Sequence, residues 1–116
     1  MGPPGLIWRG QVYDVDLGQP VGHEPAFLRP AVVMSVDAVN DGPGGLVAVV
    51  PISSTSYGLR SHVEIEPELS GLDHLSYARC DQLRVISTQR IAAHRGLVTS
   101  AAMQEIEQAL RFILGL

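Results

Sequence analysis

Apolar and polar side chains alternate in "QVYDVDL" (11–17). Val12, Asp14 and Asp16 fall on one side of an extended chain, and Tyr13, Val15 and Leu17 on the other. That period of two predicts a strand. "RPAVVMSV" (29–36) and "LVAVVPI" (46–52) are apolar runs with many β-branched residues, which predicts buried strands, with Pro30 at the beginning or on an edge of the first. "HVEIE" (62–66) alternates again, with Val63 and Ile65 inward. "SYARCDQLRVI" (76–86) reads as one strand with room for a bulge, and "HRGLV" (94–98) as a short last one. Only the end has helical spacing. Met103, Ile106, Leu110 and Ile113 form an apolar stripe, Glu105, Gln108 and Arg111 lie off it, and Thr99 or Ser100 is placed to cap the helix.

The connections carry their own signals. "DGPGG" (41–45) is a turn, and "DAVN", "PELSGLDH" and "STQRI" are single turns or short helical pieces. "GQPVGHEPAFL" (18–28) is rich in Gly and Pro and has no period, and "SSTSYGLRS" (53–61) is a polar loop. Long connections in small domains often hold function. Short strands at close spacing followed by one helix predict a mainly β chain with a C-terminal helix (α+β), a small, strongly bent sheet or barrel. We expect a single domain over 1–116, in which residues 1–5, with two prolines and two glycines, are a loose tail.

Composition narrows the setting. No apolar run is long enough to span a bilayer, and the N-terminus lacks the basic head and apolar stretch of a secretory signal. A lone cysteine makes no internal disulfide, so a cytoplasmic protein with no membrane association is expected. The net charge of −4 argues mildly against a nucleic-acid binder. However, acids gather at Glu64, Glu66 and Glu68 and at Glu105 and Glu107, which leaves room for a basic patch elsewhere. All eight basic residues are arginine. Genomic base composition explains that most simply, although the planar guanidinium also suits bidentate phosphate contacts.

The string "ARCDQL" (78–83) sets Arg79 and Asp81 two residues apart around Cys80. On a strand they share a face, either as an ordinary surface ion pair or as two arms of a polar site. Cys80 then points inward as a small core residue, and His62, His74 and His94 show no metal-ligand spacing with it. No metal or other cofactor is expected. Trp8 reads as a packing residue, and Tyr57, in the polar loop, as a ring on which a base could stack.

The order "RGQVYDVDLG", "GHEPAFLRPAVVMS", "VVPISS", "ARCDQLRVI" and a last helix ending "ALRFILGL" resembles the MazF/PemK/Kid family of bacterial toxins, from about Leu6 to Leu116. The resemblance implies an SH3-like β-barrel of the MazF/CcdB type. It also implies a homodimer, metal-independent cleavage of single-stranded RNA to 2′,3′-cyclic phosphate and 5′-hydroxyl ends, and a cognate antitoxin whose complex with the toxin binds operator DNA. The family's arginine falls on Arg29, its loop acid on Glu24 and its hydroxyl residue on Ser53, with Ser54 beside it. Serine stands at Ser53 where many members have threonine. The Kid branch adds a loop histidine, an arginine and an aspartate, which match His23, Arg79 and Asp81 in "GHE" and "RCDQ". On this reading Asp81 is the base, Arg79 and Arg29 are charge clamps, Ser53 is a hydrogen-bond donor, His23 is a proton carrier, and Glu24 anchors its loop to Arg29. The related CcdB toxins, which bind gyrase, and a degenerate toxin kept for binding are the alternatives.

Overall fold

The alternating and continuous apolar segments become strands of one sheet, seven among the described residues. The computed structural model describes residues 6–18, 22 and 27–116. The strands are β1 (Gln11–Asp16), β2 (Leu28–Val33), β3 (Leu46–Ser53), β4 (His62–Ile65), β5 (Ser76–Arg79), β6 (Arg84–Ser87) and β7 (Ile91–Leu97). Among the described residues, α1 (Asp37–Asn40) and α2 (Pro67–Ser70) lie between strands, and α3 (Ser100–Leu114) follows the last one. The sheet runs β4-β5-β3-β2-β1-β7, and β6 pairs with β3 beside this path. No pairing among the described residues joins its two ends. The mainly β fold with a C-terminal helix is as expected.

The continuous apolar run in β3 has a reason: the middle of the sheet is buried on both faces. Val12, Val32, Val50 and Ile52 pack on one face with Ile106 of α3. Tyr13, Val15, Ala31, Val33, Val49 and Ile86 form a second cluster on the other. A side chain of this size contributes about 1.5–3 kcal/mol when fully buried. Val12 is therefore a core residue, although it shares its strand face with Asp14 and Asp16.

β2 begins at Leu28, one residue earlier than expected, which makes Pro30 its third residue, and it ends at Val33 rather than continuing to Val36. Both limits come from hydrogen bonds. Leu17 N–H donates to Phe27 O (2.8 Å) and Phe27 N–H to Gly18 O (2.7 Å), which extends the β1–β2 pairing backwards. Phe27 adopts φ 53° to make this closure. At the other end, the Ser35 hydroxyl accepts from Ala48 N–H (2.9 Å) and donates to Asn40 Oδ1 (2.5 Å), while Asn40 Nδ2 donates to Ile7 O (3.1 Å). That polar plug stops the strand and starts α1.

The segment 76–86 is not one strand. β5 pairs with β3 at Ile52–Ser53 and β6 pairs with it at Leu46–Val49. The register shifts by three residues between the two, and the three-residue 3-10 turn Cys80–Gln82 takes up the difference. The last strand is longer than expected, starting at Ile91 after a second 3-10 turn, Thr88–Arg90.

Thr99 caps α3, its Oγ1 accepting from Ala102 N–H (3.0 Å). The buried face is Ala102, Ile106 and Ala109, flanked by Met103 and Leu110. Ile113 is more than a third exposed and packs in neither core cluster, so the buried stripe stops one turn early. Trp8 is also more than half exposed, not packed, with its backbone N–H held by Gln11 Oε1 (2.6 Å).

Candidate active site

Arg29 reaches the surface at the start of β2, opposite Val15 of β1. β2 also pairs with β3, Ala31 opposite Pro51. Continuing that register by two residues sets Arg29 across from Ser53. The two strand ends, together with Pro30, Ser54, His74 and Arg95, line a cleft of about 220 Å³.

The cleft is asymmetric in charge. Arg95 is committed: Nη1 lies 3.1 Å from Asp14 Oδ1, and Nε and Nη2 donate to Gly71 O (3.2 and 2.9 Å). Arg29 is exposed, and no carboxylate among the described residues lies within ion-pair distance of it. Arg29 thus opens its guanidinium to the cleft's solvent side, while Arg95 forms a wall. Ser53 Oγ accepts from Thr55 N–H (3.1 Å), an arrangement typical of serine in turns. With a lone pair so used, its O–H remains to donate into the cleft.

A second polar group gathers where β5 ends. Asp81 lies on the 3-10 turn, not on a strand face with Arg79. The turn nonetheless brings the two side chains to 3.8 Å, Arg79 Nη2 to Asp81 Oδ2. His62 of β4 stands opposite Arg79 in the β4–β5 register, and its Nε2 is 3.0 Å from Asp81 Oδ1. Tyr57 completes the group, its ring 5.1 Å from Arg79 Cζ and in edge contact with the His62 ring at 5.6 Å. The sequence reading missed His62, having weighed it only as a metal ligand. The pairing of "SHVEI" with "SYAR" was the signal that could have placed it.

Cys80, between Arg79 and Asp81, is fully buried. Burial, helped by the negative charge of Asp81, pushes its thiol up to about 12. It is a core residue, as read from the sequence, and no nucleophile at ordinary pH.

The expected constellation therefore divides. Arg29, Ser53 and Ser54 share one cleft, whereas Arg79, Asp81 and Tyr57 sit outside its lining with His62. The two groups are neighbours on one face of the sheet. Ser53 is opposite Tyr77, and Tyr77 and Arg79, two residues apart on β5, lie about 7 Å apart on the same side. His74 and Asp73 also line the cleft, from the connection after α2, and were not foreseen there. His23 and Glu24 lie outside the described residues. Among the described residues, no group of three or more His, Cys, Asp or Glu side chains is arranged to hold a metal ion, and no helix is long and apolar enough to cross a membrane.

Residues 8–114 match the model of the PemK-like, MazF-like toxins of type II toxin–antitoxin systems. The endoribonuclease EndoA of Bacillus subtilis is 30% identical over 112 residues, covering 96% of this chain and 97% of that one. In three dimensions the chain is similar to MazF from Deinococcus radiodurans, with a TM-score of 0.84 at 24% identity over 97% of this chain and all of the other, a likeness of fold. It is also similar to a mycobacterial endoribonuclease solved in complex with its cognate antitoxin, with a TM-score of 0.78 at 28% identity over 95% of this chain and 96% of that one.

Proposed function

We propose how this protein acts from one premise: the chain belongs to the PemK-like, MazF-like toxins of type II toxin–antitoxin systems and is an endoribonuclease. Its substrate is single-stranded RNA, cut at short sequences without a metal. The reading rests on one observation above the rest: Arg29 and Ser53, from different strands, open into a single cleft.

The nucleophile is the substrate's own 2′-hydroxyl, so the ribose at the cut must be RNA. Asp81 takes the hydroxyl proton as the oxygen attacks phosphorus. Arg29 in the cleft and Arg79 beside it neutralise the charge that builds on the phosphoryl oxygens, and the Ser53 O–H donates to one of them. Arginine stays protonated in proteins, so both guanidiniums act as fixed charges and not as acids. The 5′-oxygen leaves with a proton from His23. The products are a 2′,3′-cyclic phosphate and a 5′-hydroxyl. RNA laid along the sheet face places the scissile phosphate in the cleft and the preceding ribose toward Asp81. Ser54, Glu24 and Tyr57 contact the strand, with Tyr57 offering a half-exposed ring for stacking.

The protein works in the cytoplasm as a homodimer. A cognate antitoxin covers the RNA groove, and operator DNA is bound only through that complex. The solved mycobacterial toxin–antitoxin pair supports the antitoxin reading. The test is incubation of the purified protein with a long mixed-sequence RNA in EDTA, followed by mapping of the ends. Cuts at a recurrent short sequence, with cyclic phosphate and 5′-hydroxyl termini, are expected. Failure to cut varied RNA, or cutting only with added metal, overturns the proposal.

A further inference from the structure

The Asp81 carboxylate does not stand alone, and the group that holds it has no role in the reaction described above. The His62 side chain is only 3% exposed and packs edge-on against Tyr57. Its Nε2 is 3.0 Å from Asp81 Oδ1, while its Nδ1, also buried, has no hydrogen-bond partner among the described residues. A buried polar ring is costly to keep unless one of its contacts matters.

The contact fixes the ring's chemistry. An ionised carboxylate only accepts hydrogen bonds, so Nε2 carries the proton and donates it. One carboxylate oxygen is thereby held by the histidine. The other, Oδ2, is turned toward Arg79 at 3.8 Å. Three elements meet in this arrangement: β4 supplies His62, β5 supplies Arg79, and the turn after β5 supplies Asp81. The carboxylate is about one-third exposed and would rotate about its side-chain bonds without a partner.

We propose that His62 is a positioning residue for RNA cleavage, its Nε2–H locking the Asp81 carboxylate so that Oδ2 faces the ribose and Arg79. It touches neither the phosphate nor the attacking hydroxyl. This rests on the reading of Asp81 as the base, and the experiment separates the two.

Single-turnover cleavage of one RNA is measured for His62→Phe, His62→Gln, His62→Asn and Asp81→Asn, with kcat, KM and the unfolding temperature for each. Phe keeps the ring volume and the Tyr57 contact but loses the donor. Gln can carry an amide N–H to the Nε2 position, whereas the shorter Asn cannot. The proposal expects a fall of at least tenfold in kcat for the Phe and Asn variants with KM within about twofold, recovery to within about threefold for Gln, and no further loss when His62→Phe is added to Asp81→Asn. Wild-type kcat for His62→Phe, or Gln as slow as Asn, overturns it. If His62→Phe does not fold, the Gln and Asn pair decides alone. A fully active Asp81→Asn removes Asp81 as base, and His62 with it. An inactive Asp81→Asn beside an unimpaired His62→Phe removes His62 only.

Discussion

Gly71 lies directly beneath the backbone of Arg95: a Cβ built on the glycine would overlap the Arg95 carbonyl oxygen. Its φ of 71° is left-handed as well, where an L side chain costs about 1–2 kcal/mol. The approach lets Arg95 bond Gly71 O and Asp14 while it walls the Arg29–Ser53 cleft. Gly71→Ala is therefore expected to destabilise the fold by about 3 kcal/mol, strain and overlap together, lowering the unfolding temperature by roughly 10 °C or more in a thermal melt. An unchanged melt would mean that α2 and β7 do not press together as described.

If Arg29 and Ser53 stabilise the developing charge as proposed, Arg29→Ala should slow cleavage by about 100-fold or more and Ser53→Ala by at least tenfold. Ser53→Thr keeps the hydroxyl and should stay within a few fold of wild type. Both alanine variants sit at exposed or half-exposed positions, so their circular dichroism and melts should match the parent. A fully active Arg29→Ala would remove the cleft from the mechanism.

Binding gives an independent view of Arg29. On an RNA with 2′-deoxyribose at the cut site, affinity should fall with salt, because phosphate contacts release counterions. Arg29→Ala should flatten that dependence by about one contact's worth. An identical slope would show that Arg29 meets no phosphate.

Cys80 predicts a pH effect on stability. Its thiol ordinarily ionises near 9.0, and in the fold only near about 12. The unfolded chain thus loses a proton between these values that the folded chain keeps, so stability falls as pH rises from about 9 toward 12. Tyr13, raised mainly by burial, acts in the same direction at the top of this window. Urea midpoints at pH 8 and 10.5 should drop more for wild type than for Cys80→Ala. Iodoacetamide at pH 8 should label Cys80 slowly in the native protein and fast in urea.

Strand existence was legible because β1 to β4 are written in alternation or in β-branched runs, and α3 in a stripe with a threonine cap. The break at Cys80–Gln82 was not, because "SYARCDQLRVI" has strand chemistry throughout. Only the shift in register along β3 requires a turn there, and register is a property of two strands at once. The same limit hid His62. Its own segment says "outward on a strand", while its meaning comes from standing across from Arg79. Arg29 and Ser53, which line one cleft, were singled out only by their likeness to a family's ordered motifs. Ala102 and Ala109 were overlooked on the buried face of α3, where a search for large apolar residues passes over small ones that let the helix approach the sheet.

The paired hydrogen bonds between Leu17, Gly18 and Phe27 have a consequence for how such a chain can diversify. They fasten the chain to the frame at Gly18 and at Phe27, so added or altered residues between the two leave Arg29, two residues past the seam, in its seat opposite Val15. A graft between Gly18 and Phe27 that keeps His23 and Glu24 can therefore change the rest of the segment without unseating the strand that follows it.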